Sequence, residues 1–586
     1  MLKLFRNLEK KDFFIIFFVI TLVIFSVYLD LKLPEYMSEI TMLVQTSTST
    51  MKEILTAGGY MMLCAIGSFL CVVITGFFTS LLSARFSRSI RKKVFEKVED
   101  FGFNEIKKFK TSSLITRTTN DVTQIEMLLA MGLQFIVKSP IMAIWALMKI
   151  IGKSNELSRI TGIGVIIIVI TNLYIIKKVS PRFEKMQKLT DKMNDVTREN
   201  ITGIRVIRAF NAEKYQEKRF EEVNEDLTST QLSNFKTFAI MDPIMTSVMH
   251  FQSLGIYFVG AYLIMNAGMM EKMTLFSNMV VFSSYGLQVI MSFLMLTMIF
   301  MILPRAQVSA NRIGEVLEEE ITVTSGTFQG KTNEKGTIRF EHVSFKYPDA
   351  DEYVLQDISF EVKQGETVAF IGSTGSGKST LINLIPRFYD VTEGNIYVDG
   401  VDVKEYDLST LHNKIGYVPQ RAVMFTGSIQ ENVSYGDNGK KKPTKEEMRK
   451  AIEVAQAKEF VEKTEDQLDS HIARGGTNIS GGQKQRLAIA RAIARDPEIY
   501  IFDDSFSALD YQTDAKLRQE LKKHTKEATN VIVAQRIGTI LQADKIIVLE
   551  KGTCVGQGTH QELFKDCEIY REIALSQLSE EELKHA

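Results

Sequence analysis

Long apolar runs occupy the first half of the chain, and only short ones occur in the second half. Crossing a bilayer takes roughly 20 consecutive, mostly apolar residues. Six stretches come near this length: Phe13–Leu33, Ile54–Leu82, Leu128–Ile151, Ile160–Ile176, Phe238–Met265 and Leu275–Leu303. The fourth is short, and Asp242 with Pro243 interrupts the fifth. Six such runs argue against the buried helices of a soluble protein, so the pattern predicts a membrane domain of six spans.

The basic residues between the spans are unequally distributed, which predicts an orientation. Ser83–Met127 holds ten Lys and Arg residues and Lys177–Thr237 holds thirteen, whereas the other three connections hold four between them. Both termini and these two long connections are therefore expected in the cytoplasm. The two connections are rich in helix-forming residues and nearly free of Gly and Pro, so we expect them to extend the membrane helices.

After about residue 320 the pattern becomes that of a soluble α/β domain. Thr337–Tyr347 alternates between apolar and polar residues, as strands do, and Thr367–Ile371 and Ile499–Asp503 are short apolar runs typical of buried strands. The predicted domains are 1–320 in the membrane, a linker at 321–336, a soluble domain at 337–575 and a tail at 576–586. Lys plus Arg and Asp plus Glu both total 70, so charge gives no argument for a nucleic-acid partner.

A loop after the strand Thr367–Ile371 has the pattern Gly-x-x-x-x-Gly-Lys-Ser/Thr. It consists of Gly372, Ser373, Thr374, Gly375, Ser376, Gly377, Lys378, Ser379 and Thr380. In such a loop the backbone N–H groups surround phosphates, Lys378 reaches the β- and γ-phosphates, and the Ser379 hydroxyl binds Mg²⁺. The helix that starts at Lys378 directs its N-terminal dipole at the same phosphates. The loop by itself indicates an NTPase that binds its nucleotide with Mg²⁺.

A second glycine-containing motif opens a later helix. It consists of Ser480, Gly481, Gly482 and Gln483. A hydroxyl, glycine N–H groups and a helix N-terminus together suit an anion. With the phosphate loop and a strand that ends in Asp503, this motif makes the chain resemble the ATP-binding cassette (ABC) transporters over nearly its full length. Ser113–Arg117 and Glu199–Phe210 resemble the two intracellular-loop motifs of the exporter branch, whose short tip helices dock on the ATPase domains.

The resemblance implies roles for further residues. Tyr347 would stack on adenine, Asp503 would hold Mg²⁺ through water, and Gln420 would contact Mg²⁺ or water and sense the γ-phosphate. The signature Ser480–Gln483 would close on an ATP held by the opposing subunit, and Asp510 would lie in a loop that crosses the dimer interface. The implied fold is a membrane α-helical domain with long cytoplasmic extensions, fused to an α/β P-loop ATPase domain with a helical subdomain.

Two residues depart from the family pattern at the predicted catalytic centre. Asp504 stands where hydrolysing subunits carry Glu, and Gln535 stands where they carry His. The aspartate side chain is shorter than that of glutamate and retracts the carboxylate by about 1.5 Å. A misplacement of a catalytic group near 1 Å can lower the reaction rate on the order of 10²-fold. A glutamine amide carries no positive charge. The pair predicts a site that binds ATP and cleaves it poorly, as in the degenerate subunit of a heterodimeric bacterial multidrug exporter with a non-identical partner.

Two features of the spans bear on what is carried. Twelve methionines lie between Met241 and Met301. With Phe251, Tyr257, Tyr262 and Tyr285 they are suited to an adaptable apolar cavity, although ordinary helix packing or lipid contact explains them as well. Lys138 and Asp242 lie in predicted spans, where each either faces a wet cavity or pairs with a neighbour.

The leading hypothesis is a half-transporter of the bacterial cytoplasmic membrane that exports hydrophobic or amphiphilic compounds. Export of a lipid or peptide is an alternative, although a membrane domain that begins near Phe13 leaves no room for an N-terminal peptidase domain. A regulatory ATP-binding subunit that gates its partner is another, and six full spans argue against it. The membrane half excludes a soluble DNA-handling ATPase.

Overall fold

The computed structural model describes residues 6, 8–46, 48–579 and 583. The chain forms two compact units. The first comprises Met1–Glu99 and Lys110–Glu319, and the second comprises Asp100–Phe109 and Glu320–Ala586. The second unit therefore includes a short segment from the first long basic connection.

The part of the chain before residue 320 is helical. Its α-helices are α1 Lys10–Gln45, α2 Met51–Glu99, α3 Phe103–Phe109, α4 Thr111–Thr118, α5 Asn120–Met127, α6 Leu133–Ile150, α7 Asn155–Ala209, α8 Glu213–Ala239, α9 Met241–Asn266 and α10 Met269–Glu318. A π-helical turn, Leu128–Gly132, joins α5 to α6. Among the described residues, six helical stretches are long and apolar enough to cross a membrane. The prediction of six apolar helices that are long enough to cross a membrane, with helical extensions, is confirmed.

The interruption in the fifth predicted span marks a helix start. Helix α8 ends at Ala239 and α9 begins at Met241, so Asp242 and Pro243 fall in the first turn of α9. Proline is tolerated there because the first N–H groups of a helix have no intrahelical partner. An acidic residue is favourable there because its negative charge interacts with the positive end of the helix dipole. The two residues that weaken the apolar pattern therefore stabilise a helix terminus.

Lys138 forms an ion pair inside the first unit. Its Nζ lies 3.0 Å from Asp30 Oδ2, which joins α6 to α1. Ser68 of α2 donates a hydrogen bond to Asp30 Oδ1 at 2.5 Å, and Gln288 of α10 donates to the Asp30 carbonyl at 3.2 Å. Four helices therefore meet at one acidic residue. Of the two alternatives for Lys138, the structure favours pairing.

The part of the chain after residue 337 alternates strands and helices. Its strands are β1 Ile338–Phe345, β2 Leu355–Val362, β3 Thr367–Gly372, β4 Glu393–Val398, β5 Val401–Asp402, β6 Ile415–Val418, β7 Gly427–Ser428, β8 His471–Ile472, β9 Ile499–Asp503, β10 Thr529–Val533, β11 Lys545–Glu550 and β12 Thr553–Gly558. Its α-helices are α11 Lys378–Leu384, α12 Leu408–Asn413, α13 Ile429–Val433, α14 Lys445–Val454, α15 Lys458–Glu462, α16 Gly481–Ala494, α17 Tyr511–His524, α18 Ile537–Ile540, α19 His560–Asp566 and α20 Glu568–Leu575.

The strands form a six-stranded sheet in the order β12-β11-β3-β10-β9-β6, a four-stranded sheet in the order β2-β1-β4-β5, and the pair β7-β8. Strands β11, β3, β10, β9 and β6 run parallel, and β12 is antiparallel to β11. Every residue of β9 is buried, which explains its continuous apolar sequence. The predicted linker also packs on this unit, because Phe328 bridges to Tyr406 and contacts the core.

Candidate functional site

Four parallel strands, β3, β10, β9 and β6, lie side by side in the larger sheet. Their carboxyl ends therefore meet at one edge, where open α/β sheets bind ligands. The phosphate loop follows β3, and Asp503 is the last residue of β9. Gln420 and Gln535 follow the ends of β6 and β10. The strand order thus brings together four predicted site segments that are far apart in the sequence.

The phosphate loop is held by its own lysine. Lys378 Nζ donates hydrogen bonds to the carbonyl oxygens of Gly372 at 2.8 Å and Ser373 at 2.7 Å. Gly377 has φ +95°, and a Cβ there would lie 2.7 Å from Leu355 Cδ2, so the position needs glycine. Burial lowers the pKa of Lys378, and the nearby carboxylates of Asp504 and Asp503 act in the opposite direction. The ammonium group is therefore buried next to two acids and turned toward the loop.

Ser379 and Asp503 form a hydrogen-bonded pair beside this lysine. Ser379 Oγ donates to Asp503 Oδ1 at 2.9 Å. Burial raises the pKa of Asp503, and the hydrogen bond from Ser379 lowers it. The Ser379 hydroxyl and the Asp503 carboxylate are in contact, and Gln420 follows the neighbouring strand β6. Hydroxyl, carboxylate and amide oxygens are the hard donors that Mg²⁺ prefers. The donor set fits the predicted magnesium ion.

Asp504 is bound by both predicted catalytic glutamines. Its Oδ2 accepts a hydrogen bond from Gln535 Nε2 at 2.9 Å and another from Gln420 Nε2 at 3.2 Å. Its backbone has φ +46°, a left-handed conformation in which aspartate is enriched, and its N–H donates to the Val533 carbonyl at 3.0 Å. Burial raises the pKa of Asp504, and the hydrogen bond from Gln420 lowers it. The carboxylate therefore has two neutral amide donors.

Tyr347 lies next to the phosphate loop. Its hydroxyl is 3.1 Å from Thr380 Oγ1, the last residue of the loop motif. Its ring packs edge-on against Phe345 at 5.0 Å and Tyr389 at 5.3 Å between centroids. The tyrosine is thus both a packing residue and a neighbour of the loop, and its stacking on adenine stays a prediction.

The signature residues form a helix terminus with free space around its glycines. Ser480 caps α16: its Oγ accepts from the Gln483 N–H at 3.3 Å, and Gln483 Oε1 accepts from the Ser480 N–H at 2.8 Å. A Cβ on Gly481 would meet nothing within 4 Å, and one on Gly482 would meet only ordinary contacts, the closest being 3.4 Å from the Ala508 carbonyl. Neither glycine has a positive φ. Nothing in the fold of the described chain therefore demands glycine at these two positions.

Asp510 caps the next helix. Its Oδ1 accepts a hydrogen bond from the Thr513 N–H at 3.0 Å at the start of α17, and this bond lowers the pKa of Asp510. The carboxylate therefore has a structural partner within its own chain.

One supporting residue has no signal in the sequence. Gln577 Nε2 donates to the Gln535 carbonyl at 2.9 Å, and Gln577 Oε1 accepts from the Ile537 N–H at 2.8 Å. This side chain holds the backbone of the segment that carries Gln535. It follows the last helix and belongs to no motif, so only the fold identifies it.

In the first unit the predicted aromatic residues do not converge on one cavity. Tyr285 is fully buried and donates to the Leu31 carbonyl at 2.8 Å, whereas Tyr257 and Tyr262 are exposed. Phe251 lines a cavity of about 720 Å³ between α7 and α9, together with Gln252 and apolar side chains. The Met301 side chain lies outside the described residues, and Asp242 is exposed.

The tip of the second long connection exposes apolar side chains beyond the predicted spans. Its two helices, α7 and α8, meet between Ala209 and Glu213. The exposed residues are Ile201, Val206, Phe210 and Tyr215. Contiguous exposed apolar side chains are typical of interaction surfaces.

Comparison with known proteins agrees with this description. The model of the ABC transporter transmembrane region matches residues 13–303, and the ABC transporter model matches residues 355–507. An uncharacterized ABC transporter ATP-binding protein of Mycobacterium tuberculosis is 41% identical over 526 residues, which are 89% of this chain and 87% of the relative. A Bacillus subtilis protein of the same description is 35% identical over 515 residues, 88% of each chain.

Two further similarities concern a lipid transporter and a solved structure. The ATP-dependent lipid A-core flippase of Pseudomonas aeruginosa is 30% identical over 500 residues, 85% of this chain and 80% of the flippase. A solved bacterial Atm1-family ABC exporter with ATP bound has a TM-score of 0.81 at 23% identity, covering 97% of this chain and 98% of the exporter. At this identity the similarity is one of fold, and it confirms the predicted fold class.

Proposed function

The chain belongs to the ABC transporter family, and from that membership we propose that it is one half of an ATP-driven exporter whose own ATP site is degenerate. It is a multi-pass membrane protein with an ABC ATP-binding domain. We assign its ATPase domain and both termini to the cytoplasm because the basic residues concentrate in the two long connections.

In the proposed ATP site, the phosphate loop surrounds the triphosphate and Lys378 contacts the β- and γ-phosphates. Ser379, Asp503 and Gln420 are the residues that would hold Mg²⁺, which when bound neutralises charge on the phosphates. Tyr347 would stack on the base. The support is the 2.9 Å contact between Ser379 and Asp503 and the position of Tyr347 beside Thr380.

The contacts of Asp504 carry the proposal of a degenerate site. Hydrolysing subunits of this family carry a glutamate that polarises the attacking water and a histidine whose imidazole can hold a positive charge near the γ-phosphate. Here the carboxylate is one methylene shorter, and the Gln535 amide donates its hydrogen bond to Asp504 at 2.9 Å. Gln535 supplies no positive charge to the phosphate. We therefore assign binding rather than rapid hydrolysis to this site.

The signature helix and the exposed loop tip support the proposal of a partner subunit. Gly481 and Gly482 have room for a side chain within their own subunit, so the fold does not explain these glycines, and we assign them to the close approach of a ligand presented by another molecule. We assign that ligand to the ATP of an opposing half-transporter. Because this chain's own site is weak, the opposing half-transporter is a non-identical one with Glu and His at the two catalytic positions. The apolar tip of residues 201–215 gives that partner a second contact.

We assign hydrophobic or amphiphilic compounds as the exported class, because the cavity between α7 and α9 is apolar except for Ser247 and Gln252. Export of a lipid is the second candidate, and the similarity to a lipid A-core flippase over 500 residues favours it. A screen of ligand-stimulated ATP hydrolysis in lipid nanodiscs, with drugs in one arm and lipids in the other, separates the two classes.

The purified chain alone is expected to hydrolyse ATP feebly, and a co-expressed partner with Glu and His should restore turnover by about 10²-fold, the cost of a misplaced catalytic group. The measurement is phosphate release at matched protein concentration in nanodiscs. Vigorous, ligand-stimulated hydrolysis by a homodimer of this chain would refute both the degenerate site and the need for a non-identical partner.

Lys378→Ala is expected to weaken nucleotide retention at this chain's site by about tenfold or more, because hydrogen bonds to charged groups each contribute ~1.5–3 kcal/mol. Residual turnover by the assembled complex should persist. Photolabelling of this chain with an azido-ATP analogue measures retention. Lys523→Ala, which removes a surface lysine paired with Glu520, is the control. Equal labelling of Lys378→Ala and the unmodified chain would contradict the assignment.

A further inference from the structure

Helix α3 is anchored in the second unit, although it lies between two helices of the first unit in sequence. Glu105 is 2% exposed, and its Oε1 accepts hydrogen bonds from the Thr322 N–H at 3.2 Å and the Thr322 hydroxyl at 2.8 Å. Phe103 packs on Phe388 with ring centroids 4.8 Å apart. The helix therefore has a defined position against the ATPase fold.

An aromatic cluster connects α3 to the predicted base-stacking residue. The ring of Phe103 lies 5.9 Å from that of Tyr389, and Tyr389 packs edge-on against Tyr347 at 5.3 Å with an interplanar angle of 88°. Burial raises the pKa of Tyr389. The orientation of the Tyr347 ring thus depends on residues that α3 contacts.

Lys107 of α3 also contacts Tyr347 directly. Its Nζ lies over the tyrosine ring, 5.6 Å from the centroid, and 3.6 Å from Asp349 Oδ2. A cation over an aromatic ring is attracted by the ring's negative face and withdraws electron density from it. The opposite end of the tyrosine is held by the contact between its hydroxyl and Thr380, at 3.1 Å. The Tyr347 ring is therefore held between α3 and the phosphate loop.

We infer that Lys107 is a positioning residue for nucleotide binding, which orients Tyr347 and polarises its ring for stacking on the base. The inference rests on the proposed ATP site. Under this inference α3, a segment of the first long connection, takes part in recognition of the base. Binding of the base and the position of α3 therefore depend on each other. A base-free polyphosphate does not use this contact, because the phosphate loop binds it through backbone N–H groups and Lys378.

The test compares two ligands on the full chain in nanodiscs. Dissociation constants for Mg-ATP and Mg-tripolyphosphate are measured by calorimetry with Lys107→Met, Lys107→Arg and Lys108→Met. Methionine keeps much of the apolar stem and removes the charge. Lys108 is a control in the same helix, and its Nζ lies 5.7 Å from the centroid of the Phe109 ring.

Lys107→Met is expected to weaken Mg-ATP binding about two- to fivefold, the range for an exposed cation–π contact, and to leave tripolyphosphate binding unchanged. Lys107→Arg should keep the affinity of the unmodified chain, and Lys108→Met should change neither ligand. Equal losses for both ligands, no loss for either, or tighter ATP binding would overturn the inference. If the unmodified chain bound ATP no more tightly than tripolyphosphate, the proposed base-stacking site itself would fail.

Discussion

Ser480→Ala combined with Gly482→Asp is expected to lower ATP turnover by the assembled transporter to near background. The signature is proposed to complete the partner's active site, so a carboxylate at position 482 would face the γ-phosphate with like charge, and alanine at position 480 would remove the contact of the serine hydroxyl. The fold of this chain should tolerate aspartate at position 482, because the closest atom to a Cβ there is the Ala508 carbonyl oxygen at 3.4 Å. Phosphate release by one reconstituted heterodimer measures the effect.

Two comparisons make this result specific. Gly482→Asn matches the size of aspartate without its charge and should retain more turnover than Gly482→Asp. Asp504→Asn in the same complex should be far milder than the signature change, because this chain's own site contributes little hydrolysis. If Asp504→Asn were as damaging as the signature change, the weak site would not belong to this chain.

Asp504→Glu combined with Gln535→His is expected to raise ATP hydrolysis by the chain alone on the order of 10²-fold, the factor associated with a catalytic group misplaced by about 1 Å. The longer side chain advances the carboxylate by one methylene. The imidazole supplies a group that can carry a positive charge near the γ-phosphate. Initial rates of phosphate release by the purified chain at several ATP concentrations separate a gain in kcat from a change in KM.

The gain should depend on the rest of the site. Adding Asp503→Asn to the double variant should remove it, because Asp503 is paired with Ser379 at 2.9 Å and is assigned to Mg²⁺. Each single substitution should yield less than the pair, since Gln535 and Gln420 both donate to the carboxylate of Asp504. A double variant as slow as the unmodified chain would place the cause of slow hydrolysis elsewhere.

Features that depend on consecutive residues were accessible from the sequence. A membrane span requires a continuous apolar length, so six helices followed from six apolar runs. A phosphate loop requires successive backbone N–H groups and a lysine at fixed spacing, so residues 372–380 could be identified from the sequence. The buried strand Ile499–Asp503 was likewise apparent from its apolar run. The interrupted fifth span needed the structure, which places Asp242 and Pro243 in the first turn of α9.

Contacts between segments distant in the chain were decided by the tertiary structure. The two donors to Asp504 lie 84 and 31 residues away, and they meet it because β6, β9 and β10 are neighbours in the sheet. The same holds for Lys138 with Asp30 and for Lys107 over Tyr347. A side-chain pair across separate strands or helices depends on strand order and packing register, and no local pattern of residues encodes either one.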